Sequence, residues 1–68
     1  MMSKARVEHV GYSELNKCLI INYEREPGFL AYAAVAEKLC PKEGDIVWIL
    51  QNDKLNYKGF GAVAVLLA

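Results

Sequence analysis

Histidine and cysteine are scarce in this sequence, which excludes the usual ways of stapling a small fold. One histidine, His9, and two cysteines, Cys18 and Cys40, fall short of the four closely spaced ligands of a zinc site. Two cysteines close one bridge at most, and both lie in apolar runs, where a free thiol behaves as a small hydrophobe. Reduced thiols are expected, and no metal or cofactor is implied. Neither sign of charge is in excess: eight basic and eight acidic residues interleave to a formal net charge of zero. The clustered Lys and Arg that neutralise phosphates are missing, so a nucleic-acid partner is not expected. No apolar run approaches the roughly 20 residues of a membrane span, and Met1 to Arg6 leads into no apolar signal segment. A cytoplasmic protein without a membrane partner is expected.

What is present is apolar mass. Hydrophobic residues make up 54% of only 68 positions, above the usual share of about 45–50% that also counts glycine. A chain this short forms one domain, residues 1–68, and buries only about 60% of the surface its unfolded form exposes. With disulfide and metal set aside, oligomerisation is the remaining way to hide the surplus. A homo-oligomer is therefore expected, most simply a two-fold dimer, with another protein as the other partner this surface would suit.

The segment from Pro27 to Pro41 carries the clearest helical period. At about 100° per residue, Phe29, Tyr32, Val35, Ala36, Leu39 and Cys40 gather on one side and Leu30, Ala31 and Ala34 on the other. Pro27 suits a first helical position, and Pro41 disfavours helix in its predecessor. The flanks alternate instead. Lys4 to Val10 and Cys18 to Arg25 read as strands that pair with positions summing to 28, setting Val7 against Ile21. Ile46 to Gln51 and Ala62 to Leu67 are apolar in both alternation classes and read as strands covered on both faces. The expected architecture is α+β, in the order β-β-α-β-β, a four-stranded mainly antiparallel sheet with one helix on one face.

No constellation of catalytic residues emerges. His9 could serve as a base for Cys18 only if both shared a face within hydrogen-bond reach, and the favoured register separates them. Lys58-Gly59-Phe60-Gly61 runs into a strand, whereas a phosphate-cradling glycine loop runs into a helix. Tyr12 and Tyr57 fall in connections and, with Ile20 on the uncovered sheet face and Leu30, Ala31 and Ala34 on the outer helix side, form the expected interaction surface. The leading reading is a non-enzymatic oligomeric binding protein, an adaptor, regulator or inhibitor that acts through a protein surface. The rival reading is a small-molecule site, enzymatic or not, lined by His9, Tyr32 and Trp48 between helix and sheet or between subunits.

Overall fold

Alternating side chains along two polar-edged segments start the fold as a hairpin, and the rest of the chain closes around it. The structure is a computed structural model that describes residues 2–65. Its elements are β1 (Met2–Ser13), β2 (Cys18–Glu26), β3 (Phe29–Val35), β4 (Ile46–Gln51) and β5 (Ala62–Val65). They close into a barrel in the order β1-β2-β3-β5-β4. Strand β4 returns beside β1, which makes β4-β1-β2-β3 a Greek key. The closing strand β5 runs parallel to β3 and antiparallel to β4.

The expected α+β architecture is therefore overturned, because the described residues contain no helix and the sheet closes on itself. The segment expected to be helical forms β3 and the turns after it. Its apolar residues fit both periods, and helix propensity is a weak prior that tertiary pairing overrides. The deciding local feature is Pro27-Gly28. Glu26 pairs with Phe29 across it and Gly28 has φ +85°, as in a type II turn with Pro at the second position and Gly at the third. That turn joins β2 to β3 as a hairpin, and on β3 the alternation puts Ala31, Ala33 and Val35 inside the barrel and Leu30, Tyr32 and Ala34 outside.

The β1–β2 register also differs from the expected one. Val7 pairs with Tyr23, and an irregularity at Glu8 shifts the ladder so that His9 meets Asn22 and Val10 meets Ile21. One extra residue bends the strand, which lets β1 pair with β4 through its first half and with β2 through its second.

Two apolar clusters hold the barrel. The interior one includes Val7, Ile21, Tyr23, Ala33, Val47, Ile49 and Ala64, with Leu39 of the β3–β4 connection packed against it. A second lies outside the wall, where the β4–β5 connection folds back over Cys18, Ala34 and Val63 with Leu55, Tyr57 and Phe60. This explains the doubly apolar β5 and the Leu50 end of β4, whose outer side is covered by a loop rather than by a helix; the cover expected over the rest of β4 is absent, since Ile46 is exposed and Trp48 half-buried. The expected continuation of the last strand to Leu67 lies outside the described residues.

That covering loop is pinned by a two-residue hairpin. Tyr57 and Phe60 exchange backbone hydrogen bonds, while Lys58 and Gly59 both have positive φ, the geometry of a type I′ turn. Asn16 Nδ2 donates to the Lys58 carbonyl at 2.8 Å, and the Tyr57 hydroxyl accepts from the Glu37 N–H at 3.2 Å. The connections after β1, β3 and β4 are thereby tied together at one place.

Candidate functional site

The first half of β3 gathers several exposed large hydrophobic residues on one short stretch of strand. Phe29, Leu30 and Tyr32 are 68%, 60% and 59% exposed, and the strand carries no charge. Its pairing is one-sided. Strand β2 accompanies it throughout, but the ladder with β5 begins only at Ala34. The Ala36 N–H donates to the Ala64 carbonyl, so the even-numbered residues of β3 aim their backbone groups toward the β5 side. By that alternation the N–H and C=O of Leu30 and Tyr32 point where β3 has no strand neighbour. Beside them opens a cleft of about 260 Å³ bordered by Ala31, Tyr32, Asn52, Gly61 and Ala62.

The residues expected to line a small-molecule site do not gather. His9 and Tyr32 flank Asn22 in one row on the outer wall. His9 is largely exposed, and its Nδ1 lies 3.3 Å from Glu43 Oε2. Trp48 pairs with Lys4 and Val65 on the far side of β1, half-buried, with Lys4 Nζ 5.6 Å from its ring centroid. Lys4 and His9 are five positions apart on β1, about 16 Å at the rise of a strand. Cys18 is also remote from His9, since it pairs with Ser13, four positions along β2 from Asn22, and is buried.

Of the expected interaction surface, Leu30 and Tyr12 are exposed and Ala31 is half-buried. Ala34 is fully buried and Ile20 half-buried beneath the folded-back loop, while Tyr57 is a member of the cover itself. Both cysteines are free, Cys18 buried and Cys40 exposed. Among the described residues no group of three or more His, Cys, Asp or Glu could hold a metal. Burial pushes the Tyr23 phenol above its ordinary value, against the opposing charge of Arg25.

Helical spacing places Phe29 on a core face, whereas the structure exposes it at the start of β3. The signal that points to it is the Pro-Gly pair, because a two-residue turn makes the following residue a strand start at a hairpin corner. Comparison with protein-family models, with curated proteins and with solved structures finds no match to this chain.

Proposed function

We propose that this chain is a non-enzymatic binding module that takes a protein strand onto the open edge of β3, and that its first partner is a second copy of itself. The observation that carries this reading is the one-sided, uncharged segment of β3 with Phe29, Leu30 and Tyr32 exposed. Soluble proteins normally blunt such an edge with charge, proline or a covering element, because unpaired N–H and C=O groups template further pairing. Strand addition satisfies those groups, and the side chains on the same row give specificity.

The edge is self-complementary. Two copies related by a two-fold axis at Ala31 would place Leu30 of one opposite Tyr32 of the other, twice. Both residues aim their backbone groups at the open side, so each such pair exchanges two hydrogen bonds. An aliphatic residue opposite an aromatic one is a favourable cross-strand pair. Small Greek-key barrels include oligonucleotide binders, but here the strip borders Glu24 and Glu26 on β2, which suits a polyphosphate poorly.

Light scattering coupled to size exclusion tests the reading. The expected result at tens of micromolar is a dimer mass, reverting to a monomer in Leu30→Lys, which adds charge to the edge without touching the core. A monomer mass for the unmodified chain at that concentration would overturn the self-pairing.

A further inference from the structure

Three connections that are distant in sequence meet around one cleft, and each contributes a lysine to it. Lys17 ends the β1–β2 turn, Lys38 sits in the β3–β4 connection and Lys58 forms the tip of the β4–β5 hairpin; all three line a cleft of about 210 Å³. These are also the three non-glycine residues among those described with positive φ, at 58°, 72° and 52°. L-residues resist that conformation, and turns that need it usually take glycine or asparagine. A lysine at each of the three positions is therefore not explained by the turns. Backbone outliers grouped at one cleft are an observation from which a binding role can be inferred.

The charges around the cleft are unbalanced. Glu37 is the one acidic residue on its rim, and none of the three lysines pairs with a carboxylate among the described residues. Three ammonium groups against one carboxylate leave a local surplus of positive charge in a chain whose formal net charge is zero. The cleft's walls are different in character: Leu19, Leu39 and Tyr57 supply apolar and aromatic surface, and Lys58 Nζ lies 6.0 Å from the Tyr57 ring centroid. The geometry is held, since Asn16 ties the first turn to Lys58 and Tyr57 ties the third to Glu37.

We propose that this cleft binds a compact organic anion, a phosphomonoester or similar dianion attached to a single ring or short apolar body. The anion sits among Lys17, Lys38 and Lys58, where its charge gains from three donors that pair with no carboxylate among the described residues. The apolar body rests on Leu19, Leu39 and Tyr57, the few-polar-groups-over-apolar-walls arrangement usual for small-molecule sites. The cleft's size limits the ligand to about one ring. This site is independent of the β3 edge, and its occupancy does not depend on whether the chain self-pairs.

Phenyl phosphate is the probe, titrated into the full chain and followed by amide chemical shifts, with inorganic phosphate, phenol and a short oligothymidylate as comparisons. The expected result is saturable binding of phenyl phosphate that shifts residues 17–19, 36–39 and 57–58 and weakens as salt is added. Inorganic phosphate and phenol, each lacking half of the recognition, should bind more weakly. Lys17→Asn, Lys38→Asn and Lys58→Asn keep a residue that tolerates the left-handed backbone, so the fold is retained. Each should reduce affinity about threefold to tenfold, and the triple variant should abolish saturation. No saturation at ten-millimolar probe would overturn the proposal. So would affinity unchanged in the three variants, inorganic phosphate binding as tightly as phenyl phosphate, or shifts confined to the Tyr32 wall with the oligonucleotide binding more tightly.

Discussion

Gly59→Ala tests whether the outer loop is clamped as the structure shows. Gly59 has φ +94° at the third position of the Tyr57–Phe60 hairpin, and a Cβ added there would stand 2.8 Å from Asn16 Nδ2. Two costs follow. Holding alanine in a left-handed conformation costs about 1–2 kcal/mol. Displacing the Asn16 amide removes its hydrogen bond to the Lys58 carbonyl, an exposed bond worth about 0.5–1 kcal/mol. The sum is about 1.5–3 kcal/mol, a large fraction of the stability of so small a domain. Urea denaturation monitored by circular dichroism reads it directly. The two costs separate in an Asn16→Ala background, where the clash and the bond are already gone and Gly59→Ala should cost only about 1–2 kcal/mol. A cost below about 0.5 kcal/mol in the unmodified chain, or an equal cost in both backgrounds, would refute the clamp. The same variant should loosen the cover over Cys18 and speed its reaction with a thiol reagent.

Ile21→Ala removes a fully buried side chain from the barrel interior and should cost about 2–5 kcal/mol, whereas Trp48→Ala, half-buried on the outer wall over Lys4, should cost about 1–2 kcal/mol; the reverse order in denaturant would contradict the placement of the two residues. Burial raises the Tyr23 phenol above 10.0, so the stability it contributes is full below about pH 10 and is lost as pH rises through the folded-state value. Tyr23→Phe should therefore lose less stability than the unmodified chain between pH 10 and 12, and an identical alkaline profile would refute this assignment. Without reductant or denaturant Cys40 should react with a thiol reagent much faster than Cys18, and equal rates would mean that the β4–β5 loop does not cover the wall.

Alternation was legible wherever one strand face met water. Ile46–Gln51 is β4 with the bounds its pattern predicts, but the double cover expected of it is not found, since Ile46 is exposed and Trp48 half-buried on its outer side. Cys18 is buried as its apolar run implies, whereas Cys40, also read from an apolar run, is exposed beside Pro41. The Pro27–Pro41 segment was not legible, because alanine fits a helix and a crowded barrel wall equally well by composition. Ala33 and Ala34 are small because Val and Ile side chains fill one side and a folded-back loop the other, and neither neighbour is close in sequence. Of the candidate site, Leu30 could be named as surface, but Tyr32 could be read only as the lining of a small-molecule pocket, because the open edge depends on where β5 stops pairing with β3, a property of the closed sheet alone. The lysine cleft was wholly out of reach of one-dimensional reading, since Lys17, Lys38 and Lys58 stand 20 or more positions apart. Local pattern determines which residues seek burial; which surfaces remain open is decided only when distant segments compete to cover them.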